Sequence, residues 1–122
     1  MSLKLGVIGY GNIAKAIIIP LLEKKILNPD QIFCLVKSKK SYENIKNTFE
    51  YKINISYLGS PESNIVWDCP FKLLSVKPQQ LKDIKEKNFN SKKKDILISV
   101  IAGISINKLQ NIFPNHSCIR AI

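Results

Sequence analysis

With 122 residues, 45% of them hydrophobic, the chain is one domain that can bury a core; it is not disordered, and it is short for a complete two-domain enzyme. The net charge of +10 comes from 19 basic residues of which only Arg120 is an arginine, and the lysines are spread through nearly every loop and helix, so they read as solvated surface and neither nucleic acid nor a membrane is expected as a partner. The longest apolar run, Ala16 to Leu22, is broken by Pro20 and followed by Glu23, Lys24 and Lys25, and the N-terminus carries glycines where a secretory peptide needs an unbroken apolar segment; a cytoplasmic location is therefore expected.

The chain opens on an apolar strand, Lys4 to Ile8, then Gly9-x-Gly11-x-x-Ala14, then a long apolar helix pattern. That order gives the glycine spacing its meaning, because the turn aims the first unpaired helical N–H groups at a pyrophosphate. Gly9 allows the tight turn, Gly11 lets the backbone approach phosphates, and Ala14 is small enough for the helix to lie on the strand. The plain alternative is an ordinary strand-to-helix turn. The helix is expected from Asn12 to about Leu27, with stripes Ile13/Ile17/Leu21 and Ala14/Ile18/Leu22. Pro20 removes the N–H that would bond Ala16 and should kink it, and Asn28-Pro29-Asp30 stops it.

Gln31 to Val36 reads as a strand buried on both faces. A fold of this kind that prefers NAD places an Asp or Glu near the end of this strand, about 20 residues past the glycines, to bind the adenosine ribose. Here Lys37-Ser38-Lys39-Lys40 stands instead, and no acidic residue lies between Asp30 and Glu43. Lysines and a hydroxyl suit a 2′-phosphate, so NADP(H) is expected over NAD(H), with Lys37, Ser38 and Lys39 near that phosphate.

Ser41 to Phe49 is expected as the second helix with Ser41 as its N-cap, Ile53 to Leu58 as a third strand near a sheet edge, and Glu62 to Trp67 as a short helix. Phe71 to Val76 makes a fourth strand. Pro78 then opens a helix to about Lys87. After a polar turn, Asn88 to Lys94, come a fifth strand (Asp95 to Ile101), a small-residue break at Ala102-Gly103, a helix from Ile106 to Phe113 capped by Ser105, and a sixth strand from Cys118 to Ile122. His116, the only histidine, falls in an expected turn without metal-ligating neighbours and receives no role; no metal site is expected. Cys34, Cys69 and Cys118 share no C-x-x-C spacing and read as buried free thiols of a reducing compartment.

Alternating strands and helices predict an α/β fold: a Rossmann-like, doubly wound parallel sheet of order 3-2-1-4-5-6. In that order the loops at Gly9 to Ile13, Val76 to Pro78 and Ile101 to Gly103 converge on one crevice, the first on the pyrophosphate and the others toward the nicotinamide. No acid–base pair is recognisable, so the catalytic groups are unknown.

Three segments together, Gly9-Tyr-Gly-Asn-Ile-Ala-Lys-Ala-Ile-Ile, Ser75-Val-Lys-Pro-Gln, and Ile98-Ser-Val-Ile-Ala-Gly-Ile-Ser followed by Leu109, resemble the N-terminal half of pyrroline-5-carboxylate reductase, the last enzyme of proline biosynthesis. The resemblance covers essentially the whole chain. It implies hydride transfer from a reduced nicotinamide to the C=N carbon of a small cyclic imine, giving proline. It also implies cofactor contacts at Gly9, Tyr10, Gly11, Asn12 and Ile13, at Ser38 and Lys39, at Val76, Lys77 and Pro78, and at Ala102 and Gly103. The family normally has a small residue where Pro20 stands, and it continues past Arg120 into a helical domain that forms the dimer and much of the imine-carboxylate site. A homo-oligomer and turnover are therefore expected only with that helical part, and exposed apolar surface is expected along the last strand. Two other readings stay open: a relative of the F420-dependent NADP reductases, and a non-catalytic nucleotide-binding module.

Overall fold

Six short runs form strands β1 (Leu5–Ile8), β2 (Ile32–Val36), β3 (Asn54–Tyr57), β4 (Phe71–Leu74), β5 (Asp95–Ser99) and β6 (His116–Arg120) in a computed structural model that describes residues 3–86 and 95–121. Every neighbouring pair is parallel, and the order is β3-β2-β1-β4-β5-β6, the doubly wound order expected of the alternating pattern. The central strands are apolar, Lys72 of β4 aside, because both sheet faces are covered. On one face Val7, Cys34 and Leu73 meet Ala14, Ile18 and Leu22 of α1 (Asn12–Glu23) and Ile45 of α2 (Lys39–Thr48). On the other, Ile8, Leu74 and Leu97 meet Val66 and Trp67 of the 3₁₀ segment Pro61–Asp68, Leu81 of the 3₁₀ segment Pro78–Asp83, and Leu109 of α3 (Ile106–Ile112). Right-handed crossovers impose this division: connections running outward from β1 to β3 lie on one face, and those returning through β4 to β6 on the other.

Several local expectations change. Helix α1 runs through Pro20 but ends at Glu23, not Leu27. Lys25 takes the left-handed conformation (φ 58°), its N–H donating to Leu22 O at 3.1 Å and that of Ile26 to Leu21 O at 2.9 Å, a closure that halts the helix before its apolar pattern runs out. The N-cap of α2 is Ser38, not Ser41: Ser38 is extended, and its Oγ accepts the Ser41 N–H at 3.2 Å. After Pro78 the chain makes a 3₁₀ segment ending at Asp83 in place of a helix to Lys87. The three-residue spacing of Leu81 and Ile84, both buried in one core, matches the 3₁₀ repeat. The expected helix at Glu62 to Trp67 is likewise 3₁₀. His116 lies in a strand, not a turn, because β6 starts two residues early with His116 opposite Asp95. The expected polar turn Asn88 to Lys94, the helix end at Lys87 and the final residue Ile122 lie outside the described residues. Strand β6 is a sheet edge, and Ile119 on it is 48% exposed. No helix among the described residues is long and apolar enough to cross a membrane.

Candidate functional site

The glycine loop is stitched to both neighbouring strand ends. The Gly9 N–H donates to Leu35 O at 2.7 Å, and the Ser75 N–H donates to Ile8 O at 2.8 Å. Gly9 has φ +85°, and a Cβ there would sit 2.7 Å from the Ser75 carbonyl oxygen and 2.8 Å from Val76 Cγ1. The protein itself demands glycine at this position. Gly11 differs: a Cβ there would meet nothing within 4 Å, so no packing of this chain excludes a side chain. The space above Gly11 is therefore room for a ligand.

That space is part of a crevice of about 860 Å³ across the carboxyl ends of β1 to β4. Gly9, Tyr10 and Gly11 line it after β1, Lys37 and Ser41 after β2, Leu58 and Gly59 after β3, and Val76, Lys77 and Gln80 after β4. The charge within it is one-sided, because Lys37, Lys77, Lys82 and Lys85 line it and Asp83 is the single carboxylate among the described residues that do. The helix that starts at its floor is also uncapped. Ser38 caps α2 and Ser105 caps α3, whose Lys108 N–H it accepts at 3.1 Å, but Gly11 begins α1 without a side-chain cap or an acidic residue in the first turn. A 12-residue helix thus leaves its N-terminal N–H groups and dipole to an outside anion. Room above Gly11, uncapped donors and a lysine-lined wall fit a phosphate-bearing dinucleotide.

Of the residues expected at the site, Gly9, Tyr10, Gly11, Lys37, Val76 and Lys77 come together on the crevice. Asn12 and Ile13 are exposed on the first turn of α1, Ser38 is occupied in capping α2, Lys39 is exposed on that helix, and Pro78 opens its 3₁₀ segment. Ala102 and Gly103 form an exposed turn beyond β5, with Gly103 at φ +79°. Tyr10 lines the crevice while its ring packs edge-on against Phe49 at 5.4 Å, leaving its hydroxyl buried with no partner among the described residues. Burial holds this phenol far above its usual range, so it is not an acid or base at neutral pH. Burial likewise raises the Cys34 thiol and pushes that of Cys69 up to about 11, so neither is a thiolate nucleophile.

Ser41, Gly59, Gln80, Lys82 and Lys85 join the crevice without a motif to announce them. Glycine and lysine types after strand ends are a weak signal, and only folding brings the turn after β3 beside the segment after β4.

Residues 4–103 match the family model described as NADP oxidoreductase, coenzyme F420-dependent. A pyrroline-5-carboxylate reductase of Synechocystis sp. is 30% identical over 122 residues, which are 100% of this chain and 44% of that protein. One from Arabidopsis thaliana is 32% identical over 110 residues, 89% of this chain and 38% of that protein. The solved structure of a pyrroline-5-carboxylate reductase from Coxiella burnetii has the same fold, with a TM-score of 0.79 at 21% identity, over 100% of this chain and 44% of that one. The chain thus spans less than half the length of these relatives.

Proposed function

We propose, for a chain that belongs to the family of coenzyme F420-dependent NADP oxidoreductases, that it is the nucleotide-binding part of a pyrroline-5-carboxylate reductase and that its crevice holds NADP(H) in preference to NAD(H). The family description supports a pyridine nucleotide as the cofactor class. The observation that carries the reading is the uncapped α1 N-terminus at Gly11, open to a crevice walled by lysines. Bound there, a reduced nicotinamide supplies the hydride that reduces the C=N carbon of the cyclic imine. The first-turn N–H groups of α1 bind the pyrophosphate. Lys37, with Ser41 beside it, attracts the ribose phosphate, where an acidic residue would repel it. The Ala102-Gly103 turn after β5 lies toward the nicotinamide end, and the segment after β4 that opens with Val76 and Lys77 lies across the glycine loop from Lys37. The imine-carboxylate site, the dimer contact and turnover belong to the helical part of the longer relatives, with the exposed edge at Ile119 as an association surface.

Calorimetric titration of the 122-residue chain tests the cofactor assignment. NADPH should bind about tenfold or more tighter than NADH; no binding, or a preference for NADH, would sink it. The matched family description also favours a second reading, reduction of a deazaflavin of the F420 type. A chain extended by its helical part that oxidises NADPH with that acceptor and not with the imine would establish the second over the first.

A further inference from the structure

The segment Leu81 to Glu86 is built with an alternation that nucleotide binding by the glycine loop does not require. Leu81 and Ile84 are buried in the core, 7% and 6% exposed, while Lys82 and Lys85, three residues apart, are exposed on the crevice. Beyond Ile84 the chain leaves its 3₁₀ geometry yet stays fastened. Glu86 Oε1 accepts the Asn115 N–H at 2.9 Å, and Oε2 lies 2.6 Å from Nδ1 of the fully buried His116. Each lysine is thus bracketed by anchored residues, and no carboxylate among the described residues forms an ion pair with either. Two lysine side chains on a pinned backbone face a cavity that already holds Lys37 and Lys77.

We propose that Lys82 and Lys85 are a second cationic wall of the crevice, specific for a ribose phosphomonoester, and that Glu86 is the residue that positions this wall by tying it to the start of β6. This rests on the nucleotide reading above and extends it to residues that carry no glycine-loop or strand-end motif. Lys37 leaves β2 and Lys82 and Lys85 follow β4, the two strands that flank β1, so the cations approach from both sides of the glycine loop. The extra phosphate of NADP(H) adds roughly −1.5 to −2 charges at neutral pH, the difference a second set of ammonium groups can read. A flexible lysine gains most from a phosphate when its backbone is already fixed, since less ordering is then needed on binding.

The test titrates NADPH and NADH into the wild-type chain, Lys82→Gln/Lys85→Gln, Glu86→Ala and Glu86→Gln, with thermal unfolding of each. The double lysine variant should raise the Kd for NADPH about tenfold and that for NADH by less than about threefold, at an unchanged melting temperature. Glu86→Ala should reduce the NADPH-to-NADH preference in the same direction, and Glu86→Gln, which keeps an acceptor for the Asn115 N–H, should restore most of it. A purely structural Glu86 would lower the melting temperature and leave the preference where it was, which overturns its positioning role. Equal weakening of both nucleotides by the lysine variant, or no change, overturns the second wall while wild-type binding keeps the nucleotide reading intact. A wild-type chain that binds neither nucleotide overturns both.

Discussion

The two ends of the sheet handle polar groups in opposite ways. At the carboxyl end, helical N–H groups without a side-chain cap and several lysines face an open crevice. At the amino end, polar groups are sealed in and answer one another. Lys72 of β4 is fully buried, its Nζ 2.8 Å from Asp95 Oδ2 at the start of β5 and 6.0 Å from the Trp67 ring centre. His116, at the start of β6, is also fully buried, bonded to Glu86 and in ring contact with Trp67 at 5.6 Å. An unmatched charge is stable where water or ligand reaches it and costly where neither does, so substitutions at one end should be felt as binding and at the other as stability.

The largest effect expected from breaking this contrast is at Asp95. Asp95→Ala leaves the Lys72 ammonium buried without its carboxylate and should cost about 3 kcal/mol or more in urea unfolding. Lys72→Met, which removes the buried charge and keeps the volume, should stay within about 1 kcal/mol, because the 20%-exposed Asp95 side chain can turn to water. Equal losses in the two variants would mean that packing, not the buried charge, sets the cost.

Next in size is the pair of loop glycines. Gly9→Ala forces a Cβ against the Ser75 carbonyl at a positive φ and should destabilise by about 2–4 kcal/mol. Gly11→Ala has φ −89° and free space, so its unfolding free energy should change by no more than about 0.5 kcal/mol while its nucleotide affinity falls several-fold. A stable Gly9→Ala, or a Gly11→Ala that binds nucleotide normally, would erase the distinction between a glycine the fold needs and one the ligand needs.

The smallest effect is the response to pH. Burial, reinforced by the Lys72 charge, lowers the proton affinity of His116 below its ordinary value of 6.5, and this outweighs the opposing hydrogen bond and charge of Glu86 and the charge of Asp95. The unfolded chain therefore binds more protons than the folded one between the two values. Stability present above pH 6.5 is lost as pH falls through 6.5 toward the folded-state value. Urea midpoints at pH 7.5 and 5.5 should show this decline, and His116→Gln should flatten it. An identical decline in the variant would assign it to other groups.

Much of this architecture was legible in the residues. Apolar runs without alternation marked strands buried on both faces, and glycines between a strand and a helix marked the loop at the edge of the crevice. Both are local: a run of side chains or a backbone turn carries the information. Element ends were less legible. The apolar pattern of α1 continued past the point where Lys25 turns left-handed, and Ser38 and Ser41 are equally good caps until the end of β2 at Val36 places Ser38 first. A signal for His116 existed, since His116 and Cys118 stand two apart with Ile119 and Arg120 to follow, but a lone histidine beside Pro114 reads as turn.

By itself, the sequence determined the alternating strands and helices and the glycine turn after β1, because strand and helix periodicity and glycine conformational freedom act over a few residues, and the strand order followed from the connection rules of such an alternation. Only the tertiary structure decided which lysines are surface and which are not. Lys72 is as charged as Lys82, yet the first is sealed beneath Trp67 and the second lines the crevice. That difference is set by what lies across the sheet from each residue. It likewise decided that Glu86 reaches His116, 30 positions away, and so fastens the segment that carries Lys82 and Lys85.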